Sequence, residues 1–377
     1  MWNHLDLISE IENKINAVRT KSLDLSFNEL LDMYKSKELI IDPEYQRLFR
    51  WDLGQQSRFI ESLLLEMPIP PIFVIEQSEG VYELIDGLQR VSTYMHFRGE
   101  HPDYKNEDLN EIGAKFLKLR ECDICEQLNG LTYSDLPKTL EIRLKRNFIR
   151  VEVLRKESDS RLRYHMFKRL NTGGSKLSEQ EIRNCTIRLL SSTFNEFLIE
   201  CSNYEPFKKC ISNISKEKIE QKYDQELVLR FFAVKNRQDK YVHDVASYLT
   251  ESMEFFSVGN NFNYSVERRI FCKTFEVLQK TLGDRTFSPA TKTKQKLASK
   301  FAIYHFEAIS LSVANHIGAL ADLNKEQMTR LKEVLKAIKT DDDFIDMTTG
   351  GGKNYSSPLK NRIEFANKKV SDFCYGL

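Results

Sequence analysis

The sequence lacks any long apolar run, and none approaches the about 20 consecutive apolar residues that a membrane-spanning helix needs. Its first residues, Met-Trp-Asn-His-Leu-Asp, lack the basic and then apolar segments of a secretory signal, so we expect a cytoplasmic protein with no membrane partner. An excess of charge of one sign is also lacking, since 56 Lys and Arg stand against 55 Asp and Glu, a formal net charge of +1. This balance argues against indiscriminate coating of nucleic acid but allows a local basic groove.

Cysteine is scarce, and the seven residues form no pattern of pairs. An odd number at scattered positions favours reduced thiols over a disulfide framework. Cys122 and Cys125 have the spacing of a zinc knuckle, but a structural zinc site takes four ligands and no second Cys-x-x-Cys or His-x-x-x-His pair follows. Two buried or half-buried thiols are the better interpretation of this pair.

The length of 377 residues suits two or three domains. Residues 1–40 have mostly helical spacing, and residues 39–97 alternate strand, helix, strand, strand, turn and helix. Asp52 and Gln55, three positions apart, predict a capping box at the start of the first of these helices, and one more strand is expected at 148–154. From about residue 200 the pattern is almost entirely helical. The sequence therefore predicts an α+β protein, with an α/β nucleotide-binding domain over 1–200 and an α-helical domain over 201–377.

The segment 86–90, Asp-Gly-Leu-Gln-Arg, ends a predicted strand and opens a predicted helix. The N–H groups and positive dipole end of a helix N-terminus bind anions, and Gly87 has no Cβ to obstruct a phosphate. Arg90 adds a planar, permanently charged group for phosphate oxygens, while Gln89 can bond a phosphate or orient a water. Asp86 can hold Mg²⁺ or cap the helix. A plain turn with a solvated Arg90 is the alternative.

An aromatic and basic segment precedes this turn at residues 43–51. Arg47 and Arg50 flank Phe49, next to Trp51, and such an array can cradle a nucleotide with arginine on phosphate and an aromatic ring on the base. The alternative is a loop pinned by its aromatic side chains, with solvated arginines.

A glycine-rich segment follows at residues 167–178. Gly173 and Gly174 admit close approach of the backbone to a ligand, and Asn171 is a candidate ligand for phosphate or for a metal-bound water. A helix C-cap, at which Asn and Gly are favoured for left-handed geometry, is the alternative, and both interpretations are compatible.

Together these motifs resemble the ParB/sulfiredoxin-like superfamily over residues 41–97. Over residues 20–235 the chain is similar to the N-terminal domain of GmrSD-type modification-dependent restriction systems. The segments that carry the resemblance are Tyr45-Gln46-Arg47 with Trp51, Ile69-Pro70-Pro71-Ile72, residues 86–90, Arg169 to Gly174, and Glu226 to Ala233.

The resemblance implies a pocket for a nucleoside triphosphate, GTP or ATP, with Mg²⁺. Gly87, Gln89 and Arg90 would contact the phosphates, and Asn171 would lie at the triphosphate or its Mg²⁺. Leu88 stands where the family usually has Gln, a departure that bears on hydrolysis more than on binding.

The sequence therefore predicts an NTP-binding and NTP-hydrolysing, DNA-associated component of a prokaryotic restriction or anti-phage system. Asp86 and Gln89 are the candidate catalytic residues, Asp86 and Asn171 the candidate metal ligands, and Arg47, Gly173 and Gly174 further candidates for nucleotide binding. A non-catalytic nucleotide- or DNA-sensing adaptor and a DNA nickase that uses the ParB-like pocket are the alternatives. No ββα-metal signature follows residue 240, so a partner nuclease or defence protein stays open, as does a homo-oligomer.

Basic residues near the C-terminus are candidates for DNA contact. Lys353, Lys360 and Arg362 lie in a basic run around three consecutive glycines, and Tyr355 could stack on a base. The alternative is a solvated surface with a flexible loop.

Overall fold

The computed structural model describes residues 7–9, 11–13, 19–41, 49–105, 114–158, 166, 169, 178–188, 190–241, 244–259, 261–291, 293–350 and 355–377. The chain divides into two compact units, residues 1–175 (unit 1) and 176–377 (unit 2). The sequence analysis placed the boundary at residue 200. The division comes earlier because Ile187, Phe194 and Phe197 belong to the hydrophobic core of unit 2.

Unit 1 is built on a mixed sheet of five strands in the order β1-β5-β3-β4-β2. Strand β5 pairs antiparallel with β1 and parallel with β3, and β4 pairs antiparallel with β3 and parallel with β2. The elements are β1 (Thr20–Ser26), α1 (Phe27–Lys35), β2 (Leu39–Ile40), α2 (Leu53–Leu64), β3 (Ile72–Ser78), β4 (Val81–Asp86), α3 (Leu88–Phe97), α4 (Lys138–Arg146) and β5 (Phe148–Leu154).

Strand alternation and a capping box explain the elements next to the site. In β5, Ile149, Val151 and Val153 are buried, whereas the residues between them are more exposed, as expected of a strand with one face on the core. Helix α2 begins with the predicted capping box, in which Gln55 N donates to Asp52 Oδ1 at 2.8 Å and Asp52 N donates to Gln55 Oε1 at 3.1 Å.

In the described residues of unit 2 the regular elements are helices, apart from an isolated β-bridge. The α+β class with a mostly helical second part, predicted from the sequence, is therefore confirmed. The helices are α5 (Glu179–Ile187), α6 (Thr193–Ser202), α7 (Glu205–Cys210), α8 (Lys216–Glu220), α9 (Tyr223–Arg237), α10 (Val245–Ser257), α11 (Tyr264–Thr281), α12 (Ile303–Asn315), α13 (Ile317–Leu320), α14 (Lys325–Thr340), α15 (Asp342–Thr348) and α16 (Ser356–Tyr375).

The core of unit 2 is rich in aromatic side chains. Phe231, Phe271 and Phe275 are almost fully buried and lie within 6 Å of one another, centroid to centroid. Such rings bury a large apolar area each and account for much of the stability of a core. Across both units, none of the helices in the described ranges has the length and apolarity that crossing a membrane requires.

Candidate functional site

The candidate site lies where β4 ends and α3 begins. Gly87 is the N-cap of α3 with φ +102°, a left-handed conformation that favours glycine. A Cβ at this position would lie 2.2 Å from Cγ2 of Ile72, the first residue of β3. The glycine thus lets β3 pass close to the turn, in addition to any role toward a phosphate. Among the described residues no side chain caps the N-terminus of α3, so the positive end of this helix is left to other acceptors.

Arg90, in the first turn of α3, folds back over the turn. Its Nη2 lies 3.0 Å from Oδ2 of Asp86 and 3.1 Å from the carbonyl oxygen of Pro71. The side chain of Arg90 is 16% exposed and that of Asp86 is 31% exposed. Among the residues that the structure describes, the Nε atom of Arg90 is buried and has no hydrogen-bond partner. A buried donor of this kind is rare because desolvation costs about 1–3 kcal/mol unless a partner is supplied.

Gln89 holds the segment before α2 against the turn. Its Oε1 accepts hydrogen bonds from the backbone N–H groups of Arg50 at 2.9 Å and Trp51 at 3.0 Å. One side-chain oxygen therefore fixes two consecutive backbone groups of a segment 38 and 39 residues away along the chain. In this arrangement Gln89 joins the first turn of α3 to the segment that leads into α2.

The aromatic residues of that segment pack into the unit. Phe49 lies 5.4 Å from the ring of His101 and 6.2 Å from that of Tyr104, and Trp51 lies 5.5 Å from Phe59. Both Phe49 and Trp51 are half-buried. These contacts correspond to the pinned loop that the sequence analysis gave as the alternative to base stacking.

Two buried histidines lie behind the segment. His96 is 3% exposed and His101 is 4% exposed, and burial lowers the pKa of each to about 4. For His96 burial outweighs the hydrogen bond from its ring to the carbonyl oxygen of Ala114, which favours the charged form. Both imidazoles are therefore neutral near neutral pH, and the positive charge at the site comes from arginine.

Several predicted site residues lie outside the described residues, namely Arg47, Asn171, Gly173, Gly174 and Lys353. Their assignment stays a prediction. Leu88, which replaces the usual Gln of the motif, is 3% exposed and packs in the core. Its side chain is thus directed away from solvent, so the departure from the motif leaves the exposed part of the turn unchanged.

The structure corrects one predicted DNA contact. Arg362 lies within α16 with no exposed surface, and its Nε and Nη2 bond Oε2 of Glu307 at 3.0 and 2.5 Å. Oε1 of the same carboxylate accepts from Nη1 of Arg230 at 2.6 Å. A phosphate cannot reach Arg362 because the guanidinium is part of this buried ion cluster. Lys360 is exposed and lies 3.7 Å from Glu364, so its contact with DNA stays a prediction.

The cysteine pair of unit 1 has the environment of ordinary thiols. Both cysteines are free, Cys122 is 3% exposed, and burial raises its pKa to about 11. The backbone N–H of Cys125 donates to Oε1 of Glu61 at 2.6 Å, which fixes the turn between the two cysteines. Over the described part of the chain no three His, Cys, Asp or Glu side chains are grouped so that they could hold a metal ion.

The fold and the turn define a class of protein: an α+β domain in which a strand, an Asp-Gly turn and a helix bring a carboxylate and an arginine together. Residues 27–188 match the family described as the GmrSD restriction endonuclease, N-terminal domain, so the chain carries a GmrSD-type N-terminal domain over these residues. This confirms the resemblance read from the motifs. The match begins with α1 and ends just after α5.

The other comparisons are sparse. A solved structure described as "Structure of the C2221 form of Pnob8-like ParB-N domain" matches with a TM-score of 0.27 and 12% sequence identity, over 88% of this chain and 96% of that chain. No curated protein matches the chain.

Proposed function

We propose that the chain is an NTP-binding, DNA-associated component of a restriction or anti-phage system, with the triphosphate bound at the turn between β4 and α3. The observation that carries this proposal is the state of Arg90, a half-buried guanidinium whose Nε has no partner in the described part of the chain, at a helix N-terminus that no described side chain caps. Backbone N–H groups at a helix N-terminus and a permanent positive charge at one point are the chemistry that binds phosphate. Membership of the GmrSD N-terminal family supports the link to restriction.

The residues present fit a triphosphate with Mg²⁺. Arg90 has donors to offer, and Asp86 is exposed enough for one carboxylate oxygen to reach a metal ion. Mg²⁺ in nucleotide sites takes one or two carboxylates, with phosphates and waters as the other ligands, so a single aspartate is sufficient. The ion would neutralise phosphate charge, and the candidate Asn171 would supply a further oxygen.

Each residue of the turn has a separate task in this proposal. Arg90 would exchange Asp86 for phosphate oxygens, and the released carboxylate would be available to Mg²⁺. Gln89 would keep the backbone of Arg50 and Trp51 against the turn, so that the entrance is formed before the nucleotide binds. Preorganisation of this kind improves affinity because less ordering is needed on binding.

A nucleotide-sensing adaptor without turnover is the second candidate, and one contact favours it. The Oε1 atom of Gln89, the group that could orient an attacking water, already accepts two backbone N–H groups. A side chain engaged in this way is suited to positioning. Binding without hydrolysis would then switch the state of the protein.

The experiment measures both properties on the full chain. Thermal unfolding is followed with ATP, GTP, CTP and UTP in the presence of Mg²⁺, and phosphate release is assayed with and without DNA. A nucleotide at 100 times its Kd should add about 2.7 kcal/mol of stability. Stabilisation with phosphate release supports the NTPase, and stabilisation alone supports the adaptor. If no nucleotide raises the unfolding temperature, both are wrong.

A further inference from the structure

A second candidate site lies on unit 1 at the edge of the sheet. A groove of about 880 Å³ is bounded by the end of α4, the start of β5, β1 and the segment between α2 and β3. We call it the arginine groove, because Arg143, Arg146 and Arg150 line it together with Phe148. We propose that it binds single-stranded nucleic acid, with a base against Phe148 and phosphates on the arginines.

The apolar part of the groove is unusually exposed. Phe148, the first residue of β5, is 66% exposed, and Met67 and Ile142 are 42% and 40% exposed. Large apolar side chains that are grouped at one place on the surface mark binding sites more often than scattered ones do. An exposed phenylalanine ring offers a platform on which an unpaired base can stack.

The charged part of the groove is basic. Three arginines line it, against the two carboxylates Asp24 and Glu66. Arg143 pairs with Glu66 at 3.4 Å and Arg150 with Asp24 at 3.3 Å, and all four side chains are about half exposed or more. Exposed ion pairs of this kind contribute little to stability, so a phosphate can replace either carboxylate.

Arg146, the last residue of α4, is the third arginine that lines the groove. It is exposed and forms no ion pair within the described part of the chain. Since Phe148 and Arg150 lie in β5, a cation, an aromatic ring and a cation line the groove where α4 leads into β5. Phe148 and Arg150 lie on the same face of β5, about 7 Å apart along the strand. Single-stranded nucleic acid offers a phosphate and an unpaired base in every nucleotide, whereas an acidic peptide has no regular aromatic partner for Phe148.

The groove is held in shape by hydrogen bonds of the half-buried Asn147. Asn147 Nδ2 donates to the carbonyl oxygen of Leu63 at 2.7 Å, and the carbonyl oxygen of Asn147 accepts from the N–H of Phe27 at 3.0 Å. These bonds tie the junction of α4 and β5 to α2 and α1. The volume is that of pockets that enclose a small ligand, which suits one or two unpaired nucleotides better than a duplex.

This inference rests on the proposed association with DNA and assigns that association to a surface of unit 1. The groove also shares a segment with the nucleotide site: Met67 lines the groove, and four residues later the carbonyl oxygen of Pro71 accepts from Arg90. The basic surface that the sequence analysis sought near the C-terminus is thus better supplied by unit 1.

The test is fluorescence anisotropy of a labelled single-stranded DNA with the full chain and with Phe148→Ala and Arg146→Ala. Loss of stacking should weaken binding about 5- to 150-fold in F148A. R146A should weaken binding of all sequences alike and reduce the slope of log K against log salt by about 0.7. Phe255→Ala and Arg120→Ala, exposed residues outside the groove, are the matched controls and should bind as the unaltered protein does.

The same variants are tested for nucleotide-induced stabilisation, which F148A and R146A should retain. If F148A and R146A lose DNA binding but are still stabilised by nucleotide, both the groove and the nucleotide site are supported. If the two variants lose DNA binding and not even the unaltered chain is stabilised by nucleotide, the groove is supported and the proposed nucleotide function is wrong. Three results would overturn the groove: no binding of single-stranded DNA by the unaltered chain, equal losses in the controls, or equally strong competition by an acidic peptide of the same charge.

Discussion

The guanidinium of Arg90 and the carboxylate of Asp86 form an ion pair across the turn between β4 and α3, with 3.0 Å between Nη2 and Oδ2. The cation proposed for phosphate is thus compensated within the chain before any ligand binds. A phosphate must compete with this carboxylate, and the competition disappears if a metal ion takes Asp86. Nucleotide affinity should therefore depend strongly on Mg²⁺.

Asp86→Asn tests this exchange. The amide keeps the shape of the carboxylate but neither neutralises Arg90 nor attracts Mg²⁺ well. We expect nucleotide affinity in the presence of a chelator to equal or exceed that of the unaltered chain, and the gain produced by Mg²⁺ to be largely lost. Calorimetric titration with and without Mg²⁺ measures both. An undiminished effect of Mg²⁺ in D86N would show that this carboxylate is not a metal ligand.

Gly87→Ala should destabilise unit 1 by two separable effects. The left-handed backbone strains any Cβ by about 1–2 kcal/mol, and the contact with Ile72 adds about 1–3 kcal/mol of overpacking. Gly80→Ala is the matched control, because Gly80 also has positive φ but has nothing within 4 Å of a Cβ. The free energy of unfolding from denaturant titration should thus fall further in G87A than in G80A. Equal losses would mean that the close approach of β3 does not require glycine.

The two buried histidines predict how the stability of unit 1 depends on pH. Because burial lowers each pKa to about 4, the unfolded chain binds more protons than the folded chain between pH 4 and about 6.5. The stabilisation is complete above about pH 6.5 and is lost as the pH falls toward 4. Both tryptophans of the sequence, Trp2 and Trp51, belong to unit 1, so tryptophan fluorescence follows its unfolding.

His96→Gln should make that pH dependence shallower, since one of the two groups no longer titrates. The comparison is of slopes of unfolding free energy against pH, so a general loss of stability in the variant does not affect it. His316→Gln, a half-buried histidine of unit 2, serves as the control and should leave the slope of unit 1 unchanged. A slope in H96Q identical to that of the unaltered chain would refute the assignment.

Arg362→Ala should destabilise unit 2, because it removes one of two arginines around a buried carboxylate. Loss of a partner from a buried ion cluster costs about 3–5 kcal/mol. Lys360→Ala, on the exposed side of the same helix, should change stability by no more than about 0.5 kcal/mol. Denaturant unfolding followed by far-ultraviolet circular dichroism compares the two. Similar, small effects would contradict the structural role given to Arg362.

The sequence predicted local elements well where one signal determines them. The strand 148–154 and the capping box of Asp52 and Gln55 are both present, because alternation and capping depend on near neighbours. Strand β1 was taken as part of a helical region. Its pairing with β5 joins Thr20 to Leu154, and no local pattern specifies a partner so far away.

The sequence indicates which kind of chemistry a side chain can perform, but it does not indicate which residues that side chain contacts in the fold. The sequence places Asp86 and Arg90 on one turn, whereas the hydrogen bond of Arg90 to Pro71 and those of Gln89 to Arg50 and Trp51 depend on the fold. The buried face of helix α16 was not predicted, so the sequence analysis placed Arg362 on a basic surface. Arg362 lies at helical spacing from the buried Leu359 and Ala366, and this spacing is informative only once the helix is known.

Calorimetric titration of Mg²⁺-nucleotide into the full chain, compared with the Arg90→Lys and Arg98→Lys variants, tests directly whether Arg90 binds the triphosphate. Both arginines lie in or next to α3, but Arg98 bonds Asn28 and Tyr94, away from the turn. A charged hydrogen bond is worth about 1.5–3 kcal/mol, so the affinity of R90K should fall at least tenfold while that of R98K stays unchanged. Equal affinity of R90K and the unaltered chain would contradict the account.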